Sequence, residues 1–418
     1  MNRKMLTLAV ATALVVPMAA QADVTLSGII QAEIGSWEVA GGDETNAYRT
    51  NGTQTTDDMS RQTRTYDEGG AITNYGMSNI LLQFNEKLGN SGITANGQYQ
   101  VGFNTSKNQG LTGKKPVWVG LKGSALYFRY GTLTGAYKSS RTLIDPWSYT
   151  SLQASGTAGG MSGNRYHSVN WDASKQKFLV NTSAAVSNAN GLTNEGFVDG
   201  TLELGVNFSG FVFKIQGIID DAAPMNGAGM LELRYEAPSF AMWASASYTD
   251  LDIKDTFDDA IDDIKDSVDE ITNDLTEEEA KARRDARNAD EGLGNWKVGG
   301  QFKLGNTLKV GLQYEDAEMG HFDNNSDGGN YILGSIEAGM NNMVIAAWVG
   351  AYSSDIDDKN RMRDVNGDSL DEDALSWAVG VKYNFSKRSQ VYLGYRQTDS
   401  DNDYRDENIA VMGIKQSF

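Results

Sequence analysis

The chain has 418 residues, 55 acids against 36 bases, a net charge of −19, no cysteine, and two histidines, His167 and His321. The missing thiols exclude disulfides, thiolate metal sites and cysteine nucleophiles, and two imidazoles are too few for a zinc site of the usual kind. No cofactor and no nucleic-acid partner is expected.

At the start, Arg3 and Lys4 precede an apolar run from Met5 to Ala20 and the small-x-small triplet Ala20-Gln21-Ala22. This is the pattern of a cleaved secretory signal peptide, residues 1–22, leaving a mature chain from Asp23. A membrane anchor is the rival reading, but the run is short for a bilayer and Pro17 sits near its end. Removing Arg3 and Lys4 takes the net charge from −19 to −21. After Ala22 no window approaches eighteen consecutive apolar residues, so no transmembrane helix is predicted.

The mature chain is strand-like. Forty-six glycines, eighteen tyrosines and fourteen phenylalanines beside five prolines suit aromatic-edged strands joined by tight turns. Successive side chains of a strand point to opposite faces, so a barrel with lipid outside and water inside must alternate apolar and polar residues. Val24, Leu26, Gly28, Ile30, Ala32 and Ile34 alternate with Thr25, Ser27, Gln31 and Glu33. The same rhythm returns over 94–103, and again with Leu202, Leu204 and Val206 against Glu203 and Asn207. Leu231 and Leu233 against Glu232 and Arg234 repeat it, as do Val310 and Leu312 against Lys309, Gln313 and Glu315. Alternation alone does not say which face points inward, and a soluble barrel would show the inverse.

Turns at Gly123-Ser124, Ser209-Gly210, Pro238-Ser239, Gly305-Asn306, Asn341-Asn342 and Lys387-Arg388-Ser389 are short. Connections near 36–74, 132–163, 250–293 and 355–374 are long, the asymmetry of an outer-membrane barrel. Residues 23–418 are therefore predicted as one all-β, transmembrane, antiparallel up-and-down β-barrel of 16 to 18 strands, with a helical insertion in one outer loop. Counting hairpins gives eighteen strands, or sixteen if a weak pair near 176–209 is misread. Either count leaves a lumen too wide for side chains to fill.

Several stretches resemble a family. LLQFNEKLGNSGITANGQYQ (81–100) is similar to the "F…E.LG.GL.A..Q.E" hairpin of Gram-negative general diffusion porins of the neisserial and related type. WVGLKGSALYFRYG (118–131) resembles their "VGLKG.FG.L..GR" hairpin, and Ile144-Asp145-Pro146-Trp147 sits where their third loop often carries Asn-Pro-Trp. YNFSKRSQVYLGY (383–395) resembles "Y.LSKRT.LY..Y", and GIKQSF (413–418) the closing "G(L/I)(R/K)..F". The family usually has sixteen strands.

The resemblance implies a homotrimeric pore in the outer membrane, surrounded by lipid and lipopolysaccharide, passing ions and small hydrophilic solutes. It implies a constriction loop over 132–163 folded into the barrel; read from residues alone, that loop equally lies on the outer surface. Asp145 is the loop's only acid, beside Lys138 and Arg141. Strand parity puts Lys122, Arg129, Lys382, Arg396 and Lys415 on the lumen side. A basic wall facing Asp145 would set a transverse field across the pore, and the plainer account is scattered solvated charge.

Residues 250–291 hold seventeen acids and six bases, a local balance of −11. Phe257, Ile261, Ile264, Val268, Ile271 and Leu275 follow a helical seam. Thr276 with Glu279 forms a capping box for a second, shorter helix. The seam either meets its copies in a trimer or packs on that second helix. Asp364, Asn366 and Asp368 look like the start of a calcium loop, but Leu375 stands where an EF-hand needs glutamate. Polar turn chemistry is the default, and no metal is assigned.

Rival functions are an outer-membrane enzyme, for which no Ser/His/Asp neighbourhood is found, a sugar- or anion-specific channel, and an adhesin or phage receptor. For the specific channel, Trp118, Tyr127, Trp147 and Tyr149 are the candidate aromatics.

Overall fold

The computed structural model describes residues 22–39, 48–49, 62–66, 78–103, 105, 111–112, 116–155, 157–163, 168–172, 177–181, 191–220, 227–248, 294–305, 307–318, 329–355, 362–363, 373–401 and 406–418. The expected signal segment up to Gln21, the acidic helical insertion, the calcium-like turn and both histidines lie outside the described residues.

Sixteen strands close a barrel. They are β1 (Ala22–Val39), β2 (Asn79–Lys87), β3 (Thr94–Phe103), β4 (Val117–Lys122), β5 (Leu126–Leu133), β6 (Val198–Phe208), β7 (Phe211–Ile218) and β8 (Gly229–Glu236). Next come β9 (Phe240–Tyr248), β10 (Gly294–Leu304), β11 (Leu308–Ala317), β12 (Gly329–Met340), β13 (Met343–Ser354), β14 (Ala374–Asn384), β15 (Ser389–Ser400) and β16 (Glu407–Ser417). Each pairs antiparallel with its neighbours in sequence, and β1 closes the ring on β16 from Ile29↔Ser417 to Val39↔Glu407. Gln62–Tyr66 continues the β2 side of β1, and Leu111–Thr112 extends the β4 side of β3, so neither is a further strand of the wall.

The count of eighteen is therefore corrected to sixteen. Of the stretch 176–209 that read as a weak pair, Val198–Phe208 is a wall strand, whereas Lys177–Asn181 pairs with Ser168–Asp172 in a two-stranded sheet apart from the barrel.

At the lower half of β1 the ladder to β2 ends at Ile29↔Asn79. There Ser78 takes over with its side chain: its hydroxyl accepts from Gln31 N (3.0 Å) and donates to Gln31 O (3.0 Å). The seam is closed by reciprocal backbone bonds between Gly28 and Phe418 (3.1 and 3.3 Å), and the Phe418 ring lies where a Cβ on residue 28 would be.

The two faces separate as alternation demands. Val24, Leu26, Ile30, Leu204, Leu233, Leu312, Leu393 and Met412 stand exposed on the outer surface, while Gln31, Glu33, Glu203, Glu232 and Glu315 are buried inside. Rings gather beside the short turns, with Phe211, Tyr235, Phe240 and Phe302 in successive contact at 4.5, 5.6 and 6.4 Å. Such a girdle marks the level where hydrocarbon gives way to headgroups. Among the described residues no helix is long and apolar enough to cross a membrane; the crossing is made by strands.

Every turn at that rim is short. The Ser209-Gly210 turn has φ of 49° and 86°, the doubly left-handed geometry whose twist matches a two-residue hairpin. At the opposite rim the connection after β5 runs from residue 134 to 197, twice the length expected.

Candidate functional site

That long connection turns into the barrel. It enters as a 3-10 turn, Tyr137–Ser140, and a one-turn helix, Arg141–Ile144. Pro146 then forces the preceding residue to extend, and Asp145, at φ −93° and ψ 104°, ends the helix. Its carboxylate ties the bend, Oδ1 accepting from Trp147 N (2.9 Å) and Oδ2 from Ala154 N (3.0 Å). Burial pushes this carboxyl above its ordinary range, opposed by the Arg141 charge and by the two amides.

The segment lies on one wall because small residues there make room. A Cβ on Gly311 would meet Ile144 at 2.6 Å, one on Gly380 would meet Trp147 at 2.8 Å, and one on Gly394 would overlap Leu152. Ile144, Trp147, Leu152 and Met161 form a packed core with Ala346, Trp348, Ala378 and Tyr392 of that wall. Two indoles bond across the contact: Trp147 Nε1 donates to Ala346 O (3.2 Å) and Trp348 Nε1 to Leu152 O (2.8 Å).

Buried polar groups complete the seat. Glu315 of β11 accepts from Tyr137 Oη (2.7 Å), from Asn194 Nδ2 (2.9 Å) and from the Ser162 hydroxyl. Lys297 of β10 donates to Asn194 Oδ1 (2.6 Å) and sits 4.5 Å from the Tyr137 ring. Burial, reinforced by Glu315, raises the Tyr137 phenol well above its ordinary value, so it stays a donor. On β1, Glu33 accepts from Ser151 N (3.2 Å), the Ser151 hydroxyl and Tyr392 Oη (2.5 Å).

The basic residues singled out from sequence fall into three places. Within the segment, Lys138 donates to Gly196 O (2.9 Å). Arg141 donates to Asn194 O (3.0 Å), Glu195 Oε1 (2.7 Å) and Gln153 Oε1 (2.5 Å). Burial works against the Arg141 charge, but Glu195, Tyr149 and Asp145 hold its guanidinium above the ordinary value. Beneath the segment, Lys382 bonds Pro146 O and Glu337 (3.4 Å) and lies 4.6 Å from the Trp147 ring. Arg396 donates to Gln153 O (3.3 Å) and pairs with Glu407.

The third place is the open side. Arg129 pairs with Glu203 (3.3 Å) and stacks 4.3 Å from the Trp118 ring. Lys122 is exposed at the end of β4, in phase with Trp118, and Lys415 is half-buried on β16 opposite Gln31. Lys138, Arg141, Asp145, Lys382 and Arg396 thus gather at the seated segment, away from Lys122 and Arg129.

Between the segment and the β1–β7 side is an open cavity of about 700 Å³. Its wall carries Gln83, Asn85, Asn96, Gln98 and Gln100 beside Trp118, Arg129 and Lys214, and Tyr149 faces them from the segment. Tyr149 has φ 67°, a left-handed conformation that costs a bulky residue of the order of 1–3 kcal/mol. It is held there by Gln153 Oε1 accepting from its N–H (3.1 Å), by Gln31 Nε2 donating to its carbonyl (3.0 Å) and by Arg141 4.7 Å from its ring. Of the four candidate aromatics, Trp118 and Tyr149 line this cavity, Trp147 is sunk in the wall, and Tyr127 is buried under Arg129.

Sequence reasoning passed over the acids. Glu33, Glu203, Glu232 and Glu315 read as inward by parity, yet the strand residues expected at the pore are all bases and the one expected acid, Asp145, belongs to the segment. The parity of β1, β6, β8 and β11 was the signal that finds them.

A family model described as Gram-negative porin matches residues 6–403. No curated relative matches the sequence. Among solved structures, an anion-selective porin from Comamonas acidovorans superposes with a TM-score of 0.57 at 13% identity, covering 95% of this chain and 100% of that one. A loop L8 deletion mutant of OmpT, an outer membrane protein of Vibrio cholerae, gives 0.52 at 13%, covering 95% and 99%. In-vitro folded OmpT of the same organism gives 0.52 at 12%, covering 97% and 100%. At these identities the likeness is one of fold.

Proposed function

The chain belongs to the Gram-negative porins, outer-membrane channels, and from that premise we propose a water-filled diffusion pore for ions and small hydrophilic solutes, with no chemistry performed on them. The observation that carries this reading is the open, amide- and charge-lined cavity inside a barrel whose outer face is apolar. A porin needs only a hydrated path, whose width and charge select what passes. The re-entrant segment supplies the narrowing.

The eight charged residues divide the work. Lys122 and Arg129 face the water, with Lys415 on the adjoining lumen wall. Lys138, Arg141 and Asp145 shape the segment, and Lys382 and Arg396 fasten it. Assembly as a homotrimer among lipid and lipopolysaccharide, after removal of a signal peptide, belongs to the same proposal. No cofactor is part of it.

In planar bilayers the purified protein is expected to open stable, ohmic channels in potassium chloride. A closed protein, or steps at the picosiemens level, would remove the diffusion-pore reading. Replacing Lys122 and Arg129 with glutamine is expected to move the reversal potential in a salt gradient toward cation preference. An unmoved potential would take these two bases out of the pore wall. A heat-sensitive oligomer band on a gel tests the trimer.

A substrate-selective channel is the second reading. It is favoured by the pairing of Trp118 with Tyr149 across one cavity.

A further inference from the structure

Two adjoining surfaces of the cavity differ in chemistry. One is neutral and rich in amides. Gln83 stands opposite Gln98, and Asn85 opposite Asn96, on the β2–β3 ladder. Trp118 and Gly120 continue those two rows on β4. These amides make few bonds with one another: Gln98 Nε2 donates to Gln100 Oε1 at 3.3 Å, and Gln83 Nε2 reaches Gln98 Oε1 at 3.5 Å. Asn96 is buried, and its Oδ1 has no hydrogen-bond partner among the described residues. Amides that are not spent on the protein present donors and acceptors side by side.

The other surface is charged, and its two signs do not reach water equally. Arg129 has 30% of its side chain exposed while its partner Glu203 has 4%. Lys214, paired with Glu232 at 2.6 Å, has 15% exposed against none for the acid. Glu203 is further occupied by Gln216 Nε2, which donates to it at 2.6 Å. Glu203 also lines the cavity, but each acid is less exposed than its base, so a solute meets more of the cationic groups than of the carboxylates although the pairs are balanced. This holds in a chain whose overall charge is −19. Guanidinium and ammonium groups so placed recognise an oxyanion.

We propose that this cavity is a binding site within the passage for a small carboxylate bearing several hydroxyl groups, of the size and chemistry of a sugar acid. The proposal rests on the pore reading above. Arg129 and Lys214 receive the carboxylate. Gln83, Gln98 and Gln100 take up the hydroxyls, which donate and accept as the amides do, with Asn96 behind them. Trp118 and Tyr149 offer flat apolar faces to the carbon skeleton. The volume of about 700 Å³ lies within the range of small-molecule pockets. A neutral sugar lacks the charge for the bases, and a simple carboxylate leaves the amides unanswered, so neither satisfies both surfaces.

The test is ion current through the full-length channel in potassium chloride, with sodium gluconate, sodium acetate or glucose added. Gluconate is expected to reduce the current with a saturating concentration dependence. Half-block should come at a concentration about tenfold lower than for acetate or glucose, the order expected from one or two added hydrogen bonds to charged or polar groups. The double variant Gln98→Ala, Gln100→Ala is expected to lose that advantage over acetate, and Arg129→Gln the advantage over glucose, each judged against its own chloride conductance. Gluconate block without saturation, equal block by acetate, equal block by glucose, or variants that block like the parent would each overturn the site. Absence of any chloride conductance would instead strike the pore reading itself, which separates the two failures.

Discussion

Trp147→Ala is expected to free the re-entrant segment and produce channels with larger, noisier conductance. The indole is almost fully buried, donates to Ala346 O at 3.2 Å, lies 6.1 Å from the Tyr392 ring and carries Lys382 over its face at 4.6 Å. Deleting a buried Trp side chain typically costs about 3–5 kcal/mol. That loss falls on the contact between segment and wall, because the wall strands keep their own ladders. The segment occupies the lumen, so its release widens the path. Current fluctuations and mean conductance in a bilayer read this directly, and unchanged values would mean that the segment is not held through Trp147. The variant should keep its strand signal in circular dichroism, which separates a freed loop from a failed barrel.

Glu315→Ala is expected to lower the temperature at which the folded band is lost on a gel, and more severely than Glu315→Gln. Three donors converge on this carboxylate from Tyr137, Ser162 and Asn194, and Lys297 is joined to it through Asn194. Removing the acid strands these groups and takes from the buried Lys297 ammonium one of the two carboxylates that offset its charge, the other being Glu232. Breaking a buried ionic network from one side costs roughly 3–5 kcal/mol. Glutamine keeps the shape and one acceptor, so its loss is smaller. Equal melting of the two variants would show that charge, rather than acceptor capacity, holds the site.

The barrel was largely legible because lipid on one side and water on the other impose a period of two on every strand, and the alternation of short turns with long connections fits a membrane barrel. Val24, Leu26 and Ile30 against Gln31 and Glu33 read the same way in sequence and in structure, and the six short turns fell at the expected residues. The miscount came from the stretch 176–209, where Lys177–Asn181 pairs with Ser168–Asp172 and not with the wall. SVNWD alternates as the wall strands do and KFLVN carries three apolar residues in a row, both strand-like, and β propensity reports a fit to a pleated surface without saying which surface. A hairpin set apart from the barrel looks locally like two more strands.

The site was legible by face but not by partner. Parity placed Arg129 and Lys382 inward, yet it could not tell that Arg129 looks onto an open cavity while Lys382 lies under Trp147. Depth depends on where the long connection comes to rest. That in turn depends on gaps left by Gly311, Gly380 and Gly394, three glycines brought together only by the register of the closed wall. Asp145 illustrates the same limit. As the lone acid of its segment it invited a role in the pore field, whereas its oxygens are taken by two amides of its own bend.

Glu33 comes from the first strand and Tyr392 from the fifteenth, 359 residues apart, and their bond helps hold the acceptor for Ser151. An incomplete ring, lacking its final staves, leaves Glu33 without the Tyr392 donor. The segment's polar tether at Ser151 is therefore completed only when the two chain ends have met. Its contacts with Glu315, Ala346 and Trp348 need only the strands between, so closure adds the last fastening to a segment already seated on one wall.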